Sequence, residues 1–287
     1  SRYRILSYAV RALVLGTANE SDLAQLGQYG ATKVLHANNS KFDTYSTKAY
    51  AKALSNAVNA NNASVAITVY DVVGKSVAGY AAALLKAGVV SGAVGYPDTS
   101  NGFVIKKTVF SGKAFANVNI SSPIKIVSIV PNSFSLVKGD GSAAVSAFDA
   151  GLSDSDFGTQ LVSVNKVTGA VPLGEAELVV SGGRGLKGPE NWGIIEDLAG
   201  AFGAALACSR PVADAHWRPH HEHVGQTGGT IRPNLYVACG ISGAIQHLAG
   251  VNTSKCIVVI NKDPEAPFFK AADYGVVGDV FDVLPKL

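Results

Sequence analysis

Methionine is absent from this sequence of 287 residues, and cysteine occurs at only three positions, Cys208, Cys239 and Cys256. Because there is no initiator methionine, we expect the chain to be processed or truncated. An odd number of cysteines without C-x-x-C spacing argues against a disulfide framework and a zinc ribbon, and it fits a reducing compartment. We expect Cys239 and Cys256 to be buried small hydrophobic side chains and Cys208 to be the thiol to test for reactivity.

Charged residues are scarce, at 16% of the chain, and they form no block of one sign. Residues 1–166 carry 15 Lys and Arg against 9 Asp and Glu, whereas residues 167–287 carry 9 against 12. Scattered charge of this kind does not make the basic patch of a nucleic-acid-binding protein. We therefore expect no nucleic-acid partner. We interpret the basic half as a solvated surface, with a docking face for an acidic partner as the alternative.

No uninterrupted hydrophobic run is long enough to cross a membrane. The most apolar stretch, residues 76–96, contains Lys86 at its middle and Gly and Ser in its second half. It therefore predicts a buried helix that runs into a strand, and no membrane span. The first 19 residues contain three arginines and no acid. This is typical of the end of an organelle-targeting segment, although a strand edge with chance arginines explains it equally well.

Short β-branched runs alternate with Ala-rich segments in residues 1–166. The pattern predicts strands at 12–16, 32–36 and 63–70 and helices at 22–29, 47–61 and 75–86. This order predicts a parallel sheet with right-handed crossovers. Residues 102–136 are β-rich without a helical period, so we expect an antiparallel ribbon or edge strands there. Residues 137–172 are weakly patterned and rich in Gly, Ser and Asp, and we place a domain boundary near residue 166.

The same rhythm restarts in residues 167–287. It predicts strands at 177–181, 204–207, 235–238, 256–260 and 276–278, helices at 189–202 and 243–250, and a long loop from 208 to 229. This is the pattern of a doubly wound, Rossmann-like domain, in which ligands lie beyond the carboxyl ends of the strands. The predicted fold class is therefore α/β with two domains, residues 1–166 with a β-rich extension and residues 167–287.

A glycine run directly follows the predicted strand at 177–181. Gly183, Gly185 and Gly188 form a G-x-G-x-x-G motif at a strand-to-helix turn, where backbone N–H groups can approach a pyrophosphate. Arg184 lies inside the motif, and the acidic residue expected about 20 residues later is missing. The motif alone therefore favours neither a phosphate contact nor a plain tight turn.

Later strand ends also carry small or polar residues. Ser242 and Gly243 follow the strand at 235–238 and would open a helix, offering N–H groups and a hydroxyl to an anion. Asn261 follows the strand at 256–260, and Asp279 follows the last strand, where a carboxylate can accept hydrogen bonds from ribose hydroxyls. Each residue alone is typical of a cap or a turn. Together the strand ends indicate a nucleotide site.

Several runs in the second half closely resemble the electron transfer flavoprotein alpha subunit. They are VVSGGRGLKGPENW (179–192), CSRPVADAHW (208–217), VGQTG (224–228), CGISGAIQHLAG (239–250), INKDPEAPFF (260–269) and ADYGVVGDVFDVLP (272–285). The likeness covers residues 176–286, and the first half is a looser match, visible mainly at residues 111–114. It implies one FAD, bound without a covalent bond in the C-terminal domain, and a heterodimer with a beta subunit. It further implies that electrons come from flavin dehydrogenases, notably of acyl-CoAs, and pass to a membrane quinone oxidoreductase.

The resemblance also implies which residues contact the flavin. They are Arg184, Ser209, Arg210, Val224, Gly225, Gln226, Thr227, Ser242, Gly243, Ala244, Ile245, Gln246, His247, Asn261, Asp279 and Val280. The Thr227 hydroxyl can donate to flavin N5, the Arg210 cation would favour the negatively charged, one-electron-reduced flavin, and His247 can hydrogen-bond or charge-stabilise the pyrimidine edge. Ser242, Gln246 and Asn261 suit the pyrophosphate and its linker, and Asp279 suits the ribose. We expect an electron carrier without a catalytic acid–base pair, and not an enzyme.

Some features depart from the family pattern. The segment before residue 11 is too short for the strand and helix that usually begin the family, so we expect a truncated first domain or a strand supplied from elsewhere. Residues 218–223 are rich in His, which predicts a solvated loop, with a metal site that includes His216, His221 and His223 as the alternative. Gly229 occupies the position after the Q-T-G run where members of the family often have a lysine.

Two other functions stay open at this point. The first is an FAD-binding structural or assembly subunit of a larger respiratory complex. The second is a nicotinamide-dependent dehydrogenase, which the G-x-G-x-x-G motif suggests but which lacks the ribose-binding acid and an evident hydride-transfer residue. For location we expect the mitochondrial matrix and fatty acid β-oxidation, with the bacterial cytoplasm as the alternative.

Overall fold

The computed structural model of the chain describes residues 9–110, 112–159, 161–163 and 171–287. Several sequence-based interpretations lie outside these residues: the targeting segment at Arg2 and Arg4, Ser111 in the looser family match, and the boundary near residue 166. The described residues divide into two compact units. Of the described residues, those in 9–107, 117–130 and 134–163 belong to the first unit, and those in 108–116, 131–133 and 171–287 belong to the second.

Two sheets are built by the strands between residues 9 and 163. In chain order the helices and strands of this part are β1 (Arg11–Leu15), α1 (Glu20–Ala24), β2 (Lys33–Ala37), α2 (Thr47–Ala60), β3 (Val65–Val69), α3 (Val72–Leu85), β4 (Gly88–Ala93), β5 (Val104–Val109), β6 (Ala114–Asn119), β7 (Lys125–Ile129) and β8 (Ala144–Ala147). One sheet has the order β1-β2-β8 and the other the order β3-β7-β4-β5-β6. Strands β1, β2 and β8 are parallel, as are β3, β7 and β4, whereas β5 is antiparallel to β4.

The predicted α/β class is confirmed, and the predicted helices and strands of the first half occur within a few residues. The prediction of one parallel sheet is wrong, because β3 pairs with β7 and not with β1 or β2. Strand β7 was expected in an antiparallel ribbon or at an edge, yet it is parallel and lies between β3 and β4. Strand β8 falls in the weakly patterned segment, where four residues are too few to show an alternation.

Helix α2 is buried on two faces by small side chains. Ala49 and Ala53 pack in the same cluster as β2, and Ala51 and Val58 pack in the cluster that contains α3. Alanine has the highest helix propensity and allows close packing, so the Ala-rich sequence suits a helix between two layers. The Ser46 hydroxyl caps the helix by accepting a hydrogen bond from the backbone N–H of Ala49 at 3.5 Å.

The apolar stretch at residues 76–96 is a helix followed by a strand, as predicted. Helix α3 ends at Leu85, and Lys86 follows it with a left-handed φ of 51°. Strand β4 begins two residues later. Within the described ranges, no helix combines the length and the hydropathy that a membrane crossing requires.

One five-stranded parallel sheet forms the second unit. Its helices and strands are β9 (Leu178–Gly182), α4 (Gly193–Phe202), β10 (Ala205–Cys208), α5 (Arg210–Asp214), β11 (Leu235–Cys239), α6 (Ile245–Val251), β12 (Ile257–Asn261), β13 (Tyr274–Val277) and α7 (Val280–Val283). The strand order is β10-β9-β11-β12-β13, and every pairing is parallel. The chain moves from β9 to β10 on one side and then continues through β11, β12 and β13 on the other. This reversal leaves a crevice at the carboxyl ends of β9 and β11, where ligands bind in such sheets.

Candidate functional site

A cavity of about 730 Å³ lies at the carboxyl ends of β9, β10, β11 and β12. This volume falls within the range of roughly 300–1,000 Å³ that small-molecule sites occupy. Most of the residues predicted from the sequence line it: Arg184, Ser209, Arg210, Val224, Gln226, Thr227, Ser242, Gly243, Ala244, Gln246, His247 and Asn261. Four predicted residues lie outside its lining: Gly225, Ile245, Asp279 and Val280.

Close packing of two strand-end loops explains the glycine motif. The backbone N–H of Gly183 donates to the Cys239 carbonyl at 2.9 Å, and that of Gly185 donates to the Gly240 carbonyl at 3.0 Å. A Cβ atom on Gly183 would lie 2.3 Å from the Gly240 carbonyl oxygen. The motif contains only a single 3-10 turn, Arg184–Leu186, and the α-helix that follows, α4, begins at Gly193. These two N–H groups are used within the protein, which favours the tight-turn interpretation for them.

The loop after β11 is shaped by Gly243 and Asn261. Gly243 has a φ of +79°, and a Cβ atom there would lie 2.4 Å from Cβ of Phe268, so no other residue fits without strain. The Asn261 amide donates to the Ile241 carbonyl at 2.9 Å and accepts from the backbone N–H of Asp263 at 3.0 Å. The helix predicted from residue 243 begins at Ile245. Asn261 therefore braces this loop from the cavity wall.

Helix α5 interrupts the segment that the sequence predicted as one long loop, and that prediction is wrong. The helix begins directly after Ser209, and Pro211 in its first turn favours a helix start. Ser209 is buried at the cavity wall, and its backbone N–H donates to the Gly182 carbonyl at 3.1 Å. Arg210 is exposed and donates from Nε to Asp214 Oδ2 at 3.2 Å and from Nη1 to Thr227 Oγ1 at 3.4 Å. Two residues predicted to contact flavin therefore contact each other.

The His-rich loop is held by Arg218. This side chain donates from Nε and Nη2 to both carboxylate oxygens of Glu222, at 2.7 and 2.6 Å, and from Nη1 to Glu196 at 2.9 Å. Because Arg218 compensates its charge, Glu222 is buried, and the adjacent His223, which pairs with Cys208, is buried as well. The prediction of a solvated loop is wrong at these two positions. Within the part of the chain that the structure describes, no group of three or more His, Cys, Asp or Glu side chains is arranged to hold a metal ion.

Several cavity-lining residues were not among the sequence predictions. They are Gly185, Lys187, Pro211, His223, Gly240, Ile241, Lys262 and Asp263. Most of them lie within a few residues of the end of a strand, so they would have been predicted if more residues after each strand had been counted as candidates. His223 does not follow a predicted strand. It reaches the cavity because a parallel bridge pairs it with Cys208. Burial, with the nearby charge of Arg210, lowers the pKa of His223.

His247 is 7% exposed and lies on the cavity wall. Its Nε2 atom is 2.8 Å from the hydroxyl oxygen of Tyr236, and its Nδ1 atom is buried with no hydrogen-bond partner among the described residues. Burial lowers the pKa of His247 to about 4, and His223 acts in the same direction. The Val224 backbone acts in the opposite direction, although no hydrogen bond of normal distance and angle joins it to Nδ1 of His247. His247 is therefore neutral at pH 7, which favours hydrogen bonding over charge stabilisation.

Asp279 begins helix α7 and accepts a hydrogen bond from the backbone N–H of Phe281 at 3.2 Å. Lys187, which lines the cavity, lies 3.5 Å from the Asp279 carboxylate. The Phe281 N–H and the Lys187 cation lower the pKa of Asp279. The adjacent Val280 is buried in the core. The structure thus connects Asp279 to the cavity through Lys187.

Cys208 is fully buried, and burial raises the pKa of its thiol to about 12. We therefore expect Cys208, the thiol singled out for a reactivity test, to be unreactive, because the nucleophilic thiolate is scarce near neutral pH. Burial also raises the pKa of Cys239 to about 12, and Cys239 is fully buried as predicted. The same prediction is wrong for Cys256, which is only partly buried.

Comparison with known proteins gives consistent results for both halves of the chain. The electron transfer flavoprotein FAD-binding domain matches residues 172–252, and the electron transfer flavoprotein domain matches residues 4–153. "Electron transfer flavoprotein subunit alpha" of Bacillus subtilis is 39% identical over 279 residues, which cover 97% of this chain and 86% of that protein. The chain belongs to the electron transfer flavoprotein alpha family. The resemblance predicted from the sequence is confirmed.

Two further members of the electron transfer flavoprotein alpha family come from different sources. "Electron transfer flavoprotein subunit alpha" of Thermoanaerobacterium thermosaccharolyticum is 38% identical over 283 residues, covering 97% of this chain and 86% of that protein. "Probable electron transfer flavoprotein subunit alpha, mitochondrial" of Caenorhabditis elegans is 43% identical over 181 residues, covering 63% of this chain and 54% of that protein. FAD, the predicted cofactor, is confirmed by the family assignment.

The residues around the cavity fit FAD. Arg184, Lys187 and Lys262 supply cations at the wall, as a pyrophosphate requires. His247 supplies a buried polar atom that has no hydrogen-bond partner in the described chain. A site with convergent polar groups in a mostly apolar crevice is typical of cofactor binding.

Proposed function

We propose that this chain holds one FAD, without a covalent bond, in the cavity at the carboxyl ends of β9, β10, β11 and β12. We further propose that it serves as an electron carrier between other proteins and has no substrate turnover of its own. The observation that carries the proposal is the cavity itself, whose walls come from several strand ends and combine cations with a buried, incompletely hydrogen-bonded histidine. When bound, FAD supplies the one-electron chemistry, and the protein sets its position and potential.

The proposed roles of the side chains follow their positions. Arg184, Lys187 and Lys262 bind the pyrophosphate, because they are the cations of the wall apart from Arg210. Arg210 lies beside Thr227, and the pair faces the flavin ring, where a permanent cation favours negative charge on the ring. The remaining predicted residues, Ser209, Val224 to Gln226, Ser242 to His247, Asn261, Asp279 and Val280, make the other contacts along the cofactor.

The partners belong to the same proposal. We propose a heterodimer with a beta subunit, in keeping with the relatives that are named alpha subunits. Electrons then come from flavin dehydrogenases, notably of acyl-CoAs, and pass to a membrane quinone oxidoreductase. The relatives come from bacteria and from a mitochondrion, so the matrix and the bacterial cytoplasm are the two locations proposed.

Co-expression with a candidate beta subunit tests the proposal. The purified heterodimer is expected to be yellow, to release FAD on denaturation, and to lose its flavin absorption when an acyl-CoA dehydrogenase and its substrate are added without oxygen. A heterodimer that stays colourless after soaking with FAD would refute the site. A heterodimer that binds FAD but is not reduced would contradict the carrier role and favour an assembly subunit. Binding of NADH is not expected, because the Gly183 and Gly185 N–H groups already have acceptors.

A further inference from the structure

Tyr236 and His247 form a buried polar pair behind the cavity. Tyr236 lies on β11 and is completely buried, and its hydroxyl oxygen is 2.8 Å from Nε2 of His247. Phe268 packs against the His247 ring edge to face, with the ring centroids 5.7 Å apart. The ring is therefore fixed by packing on one side and by one hydrogen bond on the other.

The direction of this hydrogen bond determines where His247 carries its proton. A neutral imidazole has one N–H, and a tyrosine hydroxyl has one proton to donate. If Nε2 donated to Tyr236, the tyrosine proton would be left without an acceptor, because His247 is its one hydrogen-bond partner among the described residues. The buried Ser181 hydroxyl makes no hydrogen bond among the described residues, so it does not accept the tyrosine proton either. Tyr236 therefore donates to Nε2, and the proton of His247 is on Nδ1.

The Nδ1–H group then lacks an acceptor. It is buried, and no residue in the described part of the chain accepts its hydrogen bond. A buried donor without an acceptor is costly, so such groups in folded proteins are usually satisfied by water or by a ligand. Because His247 lines the cavity, a cofactor bound there can supply the acceptor.

We infer that Tyr236 is a positioning residue, which holds the proton of His247 on Nδ1 so that His247 meets FAD as a neutral N–H donor. The identity of the acceptor rests on the proposed function. The position of the proton does not, since it follows from the chain alone. Tyr236 is not a lining residue of the cavity, and it acts on the cofactor only through His247.

The first test measures the proton itself in the heterodimer freed of FAD. Nitrogen-15 NMR of labelled histidine is expected to show His247 protonated on Nδ1 in the wild type and a mixture of the two neutral forms in Tyr236→Phe. Tyr50→Phe is the matched control, because the Tyr50 hydroxyl donates to the Phe42 carbonyl at 2.7 Å in the first unit. An unchanged His247 signal in Tyr236→Phe would overturn the inference, as would a wild-type proton on Nε2.

The second test measures the flavin in the loaded heterodimer. Tyr236→Phe is expected to retain FAD and to lower the one-electron reduction potential by about 59 mV, a tenfold change in the equilibrium. In a His247→Leu background the same substitution is expected to add no shift. An equal shift in both backgrounds would show that Tyr236 acts by another route. If the wild type binds no FAD, the proposed function fails, while the NMR result still decides the proton position.

Discussion

Two buried polar side chains, Asp156 in the first unit and His247 in the second, differ in whether the chain satisfies their hydrogen bonds. In the first unit, Asp156 is 2% exposed and fully satisfied: Lys52 Nζ lies 2.9 Å from both carboxylate oxygens, and the Ser153 N–H donates at 3.0 Å. In the second unit, His247 is almost as buried, but its Nδ1 atom has no partner among the described residues. A satisfied buried charge stabilises the fold, whereas an unpartnered polar atom of a cavity-lining residue points to a ligand-binding position.

The largest expected effect is the pH dependence caused by His247. Its folded pKa, about 4, is below the ordinary value of 6.5, so the unfolded chain binds the proton more readily. Stability is therefore expected to fall as the pH drops from about 6.5 to about 4, by roughly 3 kcal/mol for this group alone. Urea unfolding of the FAD-free heterodimer at pH 7, 6, 5 and 4 measures this fall.

The His247→Leu variant is expected to show a smaller loss over the same pH range, because it lacks the titrating group. His221→Gln, which changes an exposed histidine, serves as the control and is expected to follow the wild type. If His247→Leu and the wild type lose stability in parallel, His247 is not held neutral by burial, and the contrast between the two units loses its main example.

The second effect concerns the close packing of the two loops that follow β9 and β11 at the cavity. Gly183→Ala places a Cβ atom 2.3 Å from the Gly240 carbonyl oxygen and is expected to cost roughly 1–3 kcal/mol and to weaken FAD retention. Gly193→Ala is the matched control, since a Cβ atom at that helical position meets nothing within 4 Å. The control is expected to be neutral or slightly stabilising in urea unfolding. Equal stability and FAD content in the two variants would contradict the close packing of the loops.

The third effect tests the satisfied charge of the first unit. Asp156→Asn is expected to lower the urea midpoint more than Asp154→Asn, because Asp154 is 92% exposed and its contact with Lys41 is screened by water. The Lys52 hydrogen bond and the Ser153 N–H lower the pKa of Asp156 below its ordinary value of 3.8. Its contribution is therefore present above pH 3.8 and lost as the pH falls below it. A midpoint difference between the two variants that does not shrink in acid would argue against an ionised Asp156.

Much of the second unit could be predicted from the sequence, because short stretches of neighbouring residues are enough to mark its strands and their ends. Each strand is a short apolar run, and each is followed by small or polar residues that mark its carboxyl end. Parallel strands gather these ends at one edge, so the sequence alone was enough to place Arg184, Ser242 and Asn261 near one another.

The rest depends on contacts between distant residues. Asp156 lies in a Ser- and Asp-rich segment that resembles a solvated loop, and its burial depends on the distant cations of Lys48 and Lys52, on helix α2. The burial of Cys208 and the position of His223 likewise follow from their pairing across the fold. The residues of a strand such as β7 also do not determine which other strands it pairs with.

The smallest effect concerns Thr227, whose Oγ1 accepts from Arg210 Nη1 at 3.4 Å. If the Thr227 hydroxyl hydrogen reaches flavin N5, Thr227→Ala removes a donor that binds the flavin more strongly once it is negatively charged. The reduction potential is then expected to fall by the equivalent of about 1 kcal/mol while FAD stays bound. Thr230→Ala, which changes an exposed threonine outside the cavity lining, is expected to leave the potential unchanged. Because Tyr236→Phe is proposed to act through His247 and not through Thr227, the two shifts are expected to add in the double variant. A potential that Thr227→Ala does not move would remove Thr227 from N5 and leave Arg210 as the polar group that tunes that side of the flavin.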